Sequence, residues 1–276
     1  MNTIRLSALA ASLALGLAAF PVQAGEVLDR VLEAKLLKVA TDANWAPQSF
    51  MNENNEMDGF DVDVAKEIGK RLGVEVEFVT PGWDIITAGN WQGRWDMHVG
   101  SMTPTAERAK IFDFPAVYYY TPAAVAVHSD STAAQLSDLD GKIVGTTTSS
   151  TFEAYANHDL TLDAAGSPPF TYQFTPGEVK SYASSSVGFD DLRLGDGVRV
   201  DAVISSLPSI LEAANAGYPI KQLGEPLFYE PLAVVIELGD KELNDKIAEA
   251  VAGMQTDGTL SALSVKWYGV DYTIAK

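Results

Sequence analysis

The sequence contains no cysteine. This absence excludes a disulfide framework, thiol redox chemistry and any metal site built on cysteine. Stability must then come from an ordinary apolar core, which a hydrophobic content of 47% can supply.

Basic residues are also scarce. The chain has 19 Lys and Arg against 37 Asp and Glu, and the basic residues form no cluster. The formal net charge of −18 repels nucleic acid, so we exclude a nucleic-acid partner. The three histidines are scattered, and the motifs of zinc proteases and serine hydrolases are missing. We therefore expect neither a metal site nor a cofactor.

A long apolar run occurs only near the start of the chain. Arg5 precedes fifteen small or apolar residues, Leu6–Phe20, and Val22-Gln23-Ala24 resembles a cleavage site. Fifteen residues are short for a membrane span, which needs about 20 residues. Residues 1–24 are therefore predicted to be a cleaved signal peptide for export.

Strand and helix patterns alternate along the remaining chain, which favours an α/β fold with parallel strands. Helices are predicted at 26–34, 59–72, 83–93 and 152–158, in a segment with Pro208 near its start, and at 242–254 and 259–268. Strands are predicted at 36–41, 74–79, 97–102, 115–128, 142–147, 200–205 and 224–237, with a hairpin at 51–58. Residues 159–182 are rich in Pro and Gly and are predicted to be irregular.

The stretch 98–122, HVGSMTPTAERAKIFDFPAVYYYTP, carries the most informative pattern. A strand leads into a turn at Thr103-Pro104-Thr105, and Arg108 follows. Hydroxyls at Ser101 and Thr103 and the Arg108 guanidinium would suit a carboxylate, which arginine binds with two parallel hydrogen bonds. The alternative is a surface arginine beside ordinary turn residues.

SMTPTAER followed by FDFPAVYYY resembles the periplasmic solute-binding proteins of amino-acid ABC transporters, family 3 of the bacterial extracellular solute-binding proteins. KVATDANWAPQSF and DGFDVDVAKEIGKRLGVEVEF match further family blocks in the same order. The resemblance implies a type II periplasmic-binding-protein fold, in which two α/β lobes are joined by a two-strand hinge. It implies a first lobe of residues 25–122 plus 229–276 and a second lobe of residues 123–228.

The resemblance also implies which residues hold the carboxylate of a ligand. Arg108 would pair with it, helped by Ser101, the backbone of Met102, and Thr103. Ser150 and Thr151 would close over it from the second lobe.

Aromatic and acidic residues are implied for the rest of the ligand. Trp45 would stack on the ligand and Trp83 would form a second wall, whereas most tryptophans simply pack in the core or at its rim. Asp42 matches the position that receives the distal cation in binders of cationic amino acids, although Asp at a strand end also forms turns.

Ser206 departs from the family pattern, which places there an Asp that pairs with the ligand α-ammonium. A hydroxyl can accept a hydrogen bond but cannot offset the desolvation of an ammonium group. Either Asp42, Asp190 or Asp191 supplies the charge from another direction, or the ligand lacks a free α-ammonium.

The resemblance implies a monomeric receptor that binds a small carboxylate-bearing solute and delivers it to an inner-membrane ABC permease. The alternative is a periplasmic enzyme on the same scaffold, such as a cyclohexadienyl-type dehydratase. That alternative needs a general acid or base in the cleft, for which Glu153 and the three histidines are candidates.

Overall fold

The computed structural model describes residues 26–162 and 168–275. The predicted signal peptide, residues 1–24, lies outside this part of the chain. The helices are α1 Glu26–Ala34, α2 Phe60–Leu72, α3 Trp83–Thr87, α4 Thr151–Ala156, α5 Ser185–Leu192, α6 Leu207–Asn215, α7 Lys241–Thr256 and α8 Thr259–Tyr268. The strands are β1 Leu36–Ala40, β2 Asn44–Trp45, β3 Ser49–Met51, β4 Met57–Asp58, β5 Glu75–Val79, β6 Met97–Met102, β7 Phe112–Asp113, β8 Val117–His128, β9 Ile143–Thr147, β10 Glu178–Tyr182, β11 Ala202–Ser206 and β12 Ile220–Glu237.

One mixed sheet has the strand order β10-β9-β11-β8-β12-β6-β1-β5, and β7 pairs with β12. At one end β6, β1 and β5 are parallel, and at the other end β11, β9 and β10 are parallel. The long strands β8 and β12 run antiparallel to each other between these two groups. Two parallel α/β lobes are therefore joined by a pair of long strands, which confirms the predicted fold.

The buried apolar residues form four clusters, two in each lobe. Among the described residues, no cluster combines members from both predicted lobes. We therefore propose the boundaries given above, with residues 25–122 plus 229–276 in lobe I and residues 123–228 in lobe II.

Helix α2 shows how the sequence sets a local boundary. The sequence predicts an apolar face of Val62, Ala65, Ile68 and Leu72; the first three are buried and Leu72 is half-buried. Gly73 ends the helix in the left-handed conformation at φ 73°. At its start, Gly59 has φ 124°, and a Cβ there would lie 2.4 Å from the carbonyl oxygen of Gln48. Only glycine fits at that position.

Two local predictions were wrong. The helix at 83–93 ends at Thr87, because Gly89 and Asn90 both have positive φ. Residues 159–182 are not irregular throughout, since Glu178–Tyr182 pair in parallel with β9; residues 163–167 lie outside the described part. Arg108 follows the predicted turn and lies on one 3-10 turn, Arg108–Lys110.

Within the described ranges, no helix combines the length and apolar character that a membrane crossing requires.

Candidate functional site

A cleft of about 480 Å³, partly open to solvent, lies between the two lobes. Eight of the ten predicted ligand contacts line it: Asp42, Trp45, Trp83, Ser101, Thr103, Arg108, Ser150 and Thr151. Five further lining residues were not predicted: Thr147, Phe152, Ser184, Ser185 and Glu230. The cleft therefore draws side chains from both lobes and from hinge strand β12.

Arg108 projects from lobe I toward lobe II. Its Nη1 donates to the Thr103 carbonyl at 2.9 Å, and its Nη2 donates to the Ser149 carbonyl of lobe II at 2.9 Å. The guanidinium lies over the Trp83 ring, 5.5 Å from the ring centroid. Burial lowers the pKa of Arg108 to about 10, while nearby Glu230 acts in the opposite direction. Arg108 is therefore a fixed cation at neutral pH.

Glu230 is a buried carboxylate of hinge strand β12, with 2% of its surface exposed. Its Oε2 accepts hydrogen bonds from Thr103 Oγ1 and from Thr151 Oγ1, each at 2.6 Å. Burial raises the pKa of Glu230, and the two threonines and Arg108 oppose this rise. Glu230 thus connects lobe I, the hinge and lobe II through one oxygen atom.

The predicted hydroxyl donors are engaged with the protein itself. Thr103 and Thr151 donate to Glu230, and Ser150 donates to the Thr147 carbonyl at 2.6 Å. The Ser101 hydroxyl donates to Asp61 Oδ2 at 2.8 Å. Because a hydroxyl has a single proton, these four groups do not also donate to a ligand in this arrangement.

Ser101 lies above a buried polar network within lobe I. Asp61 is fully buried and also accepts a hydrogen bond from the Tyr118 hydroxyl at 2.7 Å. Burial raises the pKa of Asp61 to about 7, although Tyr118 and Ser101 donate to it. Ser101 itself has φ 59°, a conformation that is uncommon for a residue with a side chain. The network holds the end of β6 where the cleft begins.

Trp45, Trp83 and Asp42 lie on the cleft lining. Trp45 and Trp83 are half-buried on the cleft lining. Asp42 is also half-buried, and its Oδ1 accepts a hydrogen bond from the Asn44 backbone at 2.7 Å. Burial raises the pKa of Asp42, and the backbone hydrogen bonds partly offset this. Asp42 therefore stabilises the local turn through the Asn44 backbone and also lines the cleft.

Two predicted contacts do not line the cleft. The Met102 side chain is fully buried in an apolar cluster of lobe I, as expected for a residue assigned a backbone role. Ser206 is fully buried, and its hydroxyl accepts from the Ser209 backbone at the start of α6. The Gln48 side-chain amide of lobe I lies 2.9 Å from the same hydroxyl. Ser206 is thus placed in the contact between the lobes.

The model for the bacterial extracellular solute-binding proteins, family 3, matches residues 37–270. The chain belongs to this family.

Relatives and solved structures agree with this family. The L-cystine-binding protein TcyJ of Escherichia coli is 28% identical over 250 residues, covering 90% of this chain and 88% of TcyJ. An ancestral arginine-binding protein bound to arginine has a TM-score of 0.73 at 34% identity, covering 85% of this chain and 99% of that chain. The ancestral amino acid-binding protein AncCDT-1, a precursor of cyclohexadienyl dehydratase, has a TM-score of 0.74 at 28% identity. This match covers 87% of this chain and 99% of AncCDT-1.

Asp190 and Asp191 were alternative sources of negative charge in this family 3 protein. Asp191 accepts hydrogen bonds from Lys180 and Tyr182, each at 2.8 Å, and Asp190 accepts one from Tyr218. Neither residue lines the cleft. Within the described residues, Asp42 and Glu230 are the acidic side chains of the cleft lining.

The sequence-based assignment missed Glu230. One signal could have found it: Glu230 is a single charge within the otherwise apolar and aromatic run Leu227–Ile236 of a hinge strand. A charge in such a run is costly unless it has partners or a function. The family resemblance assigns ligand contacts near the ends of strands and assigns none at position 230.

Proposed function

We propose that this family 3 protein is an exported receptor of an ABC importer that holds an amino acid between its lobes. The ligand carboxylate binds Arg108, and the loaded receptor delivers the amino acid to an inner-membrane permease. We propose that the receptor works as a monomer, as the family resemblance implies.

The observation that carries the proposal is the position of Arg108. Its guanidinium lines the cleft, and within the described residues no carboxylate oxygen lies within 4.0 Å of it. Two carbonyls and the Trp83 ring fix its orientation. A fixed cation with unused N–H donors suits a planar carboxylate.

The remaining lining favours a ligand with further positive charge. Among the residues that the structure describes, the charged side chains on the cleft lining are Arg108, Glu230 and Asp42, one cation and two anions. A zwitterionic amino acid leaves one anion uncompensated, whereas a cationic amino acid neutralises the set. We propose that Asp42 receives the distal cation and that Trp45 packs on the aliphatic part of the side chain.

Arginine is therefore the first ligand to test. The ABC transporter arginine-binding protein 1 of Escherichia coli is 25% identical over 240 residues, covering 85% of this chain and 91% of that protein. Cystine is the alternative ligand to test, because the relative TcyJ is named as an L-cystine-binding protein. The distal ammonium of cystine is accompanied by a second carboxylate, so cystine is net neutral and leaves one anion of the lining uncompensated, whereas arginine does not.

The enzyme alternative has less support. Glu153, His98, His128 and His158 do not line the cleft. Burial lowers the pKa of His98 to about 4, so it is neutral at physiological pH. Glu230 lines the cleft, but the two hydrogen bonds that it accepts from side chains tie it to Thr103 of lobe I and Thr151 of lobe II.

Calorimetric titration with the twenty standard L-amino acids and L-cystine tests the proposal. The protein is first unfolded and refolded to remove any bound solute. We expect saturable binding of one or a few amino acids, with arginine bound more tightly than cystine, and no product after prolonged incubation. Absence of binding across the panel, or product formation from a cyclic hydroxy acid, would contradict the proposed function.

A further inference from the structure

We propose that Glu230 of the hinge strand, together with the Thr103 and Thr151 hydroxyls that it orients, forms the subsite for the α-ammonium of the ligand. This inference rests on the proposed function, because it assigns the second charged group of the same amino acid. It places the ammonium partner on the hinge and not at position 206.

Glu230 is a buried carboxylate that forms no direct ion pair within the described residues, although Arg108 is near enough to lower its pKa. Only 2% of its surface is exposed, yet within the described residues no Lys, Arg or His nitrogen lies within 4.0 Å of its carboxylate. Within the described residues, the side chains that donate hydrogen bonds to Glu230 are Thr103 and Thr151, and both donate to Oε2. Its other oxygen, Oε1, is available to a donor in the cleft. Burying a carboxylate in this way is costly unless a positive charge completes the site.

The two threonine hydroxyls show the same polarity. Each donates its proton to Glu230, so each presents only oxygen lone pairs to the cleft. A ligand group that meets both hydroxyls and Oε1 must therefore be a hydrogen-bond donor. An ammonium group has three N–H donors and one positive charge, which matches three acceptors and one negative charge.

Thr103 sets the spacing between the two charged subsites. Its carbonyl accepts from Arg108 Nη1 at 2.9 Å, and its hydroxyl donates to Glu230 Oε2 at 2.6 Å. The cation and the anion are thus connected through a single residue. A carboxylate and an ammonium on one carbon atom are the ligand groups that such closely spaced charges fit.

Ser206 and Asp42 fit this role less well. Ser206 carries no charge and does not line the cleft. Asp42 lines the cleft, but its Oδ1 is engaged by the Asn44 backbone, and within the described residues no hydrogen bond joins it to the residues around Arg108. Asp42 is therefore available for a distal cation and not for the head group.

The test compares two ligands on two variants. The ligands are the amino acid that wild type binds most tightly in the panel and its 2-hydroxy analogue, in which a hydroxyl replaces the ammonium. The variants are Glu230→Gln, which removes the charge with little change of shape, and Glu225→Gln, which removes the charge of an exposed Glu on the same strand. Calorimetry gives four dissociation constants for comparison with wild type.

We expect wild type and Glu225→Gln to prefer the amino acid over its hydroxy analogue by the same large factor. In Glu230→Gln the affinity for the amino acid should fall by about 30-fold or more, because the ammonium loses a buried charged partner. The affinity for the hydroxy analogue should change much less. Glu230→Asp, which keeps the charge, should retain more of the preference than Glu230→Gln and gives a second reading if the Gln variant folds poorly.

Equal losses for both ligands in Glu230→Gln would overturn the inference, because Glu230 would then only join the lobes. An unchanged preference would overturn it as well. In both cases the wild type still binds an amino acid, so the proposed function stands. If wild type binds no amino acid in the panel, the proposed function fails and the ammonium subsite fails with it.

Discussion

Arg108 of lobe I donates from Nη2 to the carbonyl oxygen of Ser149 in lobe II, at 2.9 Å across the cleft. The residue proposed to bind the ligand carboxylate therefore also joins the two lobes. Ligand contacts shift a population between open and closed forms only if they are stronger in the closed form. The Arg108–Ser149 hydrogen bond joins the lobes without a ligand, so a ligand must supply contacts of its own to both lobes to favour the closed form further.

The first prediction concerns Arg108→Ala. We expect the affinity for the bound amino acid to fall by about 100-fold or more, because the carboxylate loses its charged partner in a partly buried site. The free energy of unfolding should change little, since Arg108 has no ion pair within the described residues. Calorimetric titration and urea unfolding measure the two quantities.

Arg199→Ala is the matched control, because Arg199 is exposed and lies outside the cleft lining. It removes the same charge from the protein and should leave the affinity within about twofold of wild type. Unaltered affinity in Arg108→Ala would remove the carboxylate site from this account.

The second prediction concerns Trp83, over which the Arg108 guanidinium lies at 5.5 Å. Trp83→Leu keeps an apolar side chain and removes the cation–π contact. We expect the affinity to fall by about three- to tenfold, the range for a partly desolvated contact of this kind. In the double variant with Arg108→Ala, Trp83→Leu should have a smaller effect, because the two residues act together. Equal effects in both backgrounds would indicate that Trp83 acts independently of Arg108.

The third prediction concerns Ser206. Its hydroxyl caps α6 at the Ser209 backbone, so Ser206→Ala should lower the free energy of unfolding by about 1 kcal/mol. Ligand affinity of Ser206→Ala should stay within about twofold of wild type, as expected for a residue outside the cleft lining.

The variant Ser206→Asp tests where the ligand ammonium binds. It would improve amino-acid binding if the ammonium approached position 206, but we expect no gain. A clear gain measured by calorimetry would contradict the ammonium subsite at Glu230.

The fourth prediction concerns pH and Asp61, whose pKa is raised by burial to about 7. Between the unfolded and the folded pKa, the folded protein holds a proton that the unfolded chain has lost. Stability therefore falls as pH rises through this window, by about 2 kcal/mol between pH 5 and pH 7 from this group.

Asp61→Asn should remove this contribution, so the variant should lose less stability than wild type over the same pH range. Urea unfolding at several pH values measures the difference. The exposed Asp196→Asn is the control and should follow the wild-type slope. Identical slopes for Asp61→Asn and wild type would show that Asp61 does not titrate in this window.

Local sequence patterns predicted most of the fold because they depend on neighbouring residues. The apolar spacing of α2 and the glycine that ends it were sufficient to place that helix. The helix after Trp83 was predicted too long, because its polar continuation contains Gly89 and Asn90 with positive φ. Strand β10 escaped prediction because only its pairing with β9, across the second lobe, defines it.

The candidate site was predicted in part. Arg108 and Thr103 belong to one short motif, so a resemblance to the family identifies them together. Glu230 joins them through hydrogen bonds to Thr103 and Thr151, which lie 127 and 79 residues away. No local pattern reports such contacts. Likewise, the sequence does not reveal that the hydroxyls of Thr103 and Thr151 donate to Glu230, because this depends on where the carboxylate lies in the folded protein.

The most direct test is a crystal structure of the protein with the amino acid that it binds most tightly. We predict the ligand carboxylate within hydrogen-bond distance of the Arg108 guanidinium and the ligand ammonium facing Glu230 Oε1. A ligand whose carboxylate lies away from Arg108, or an Arg108 side chain that points into bulk solvent beside an occupied cleft, would contradict the account.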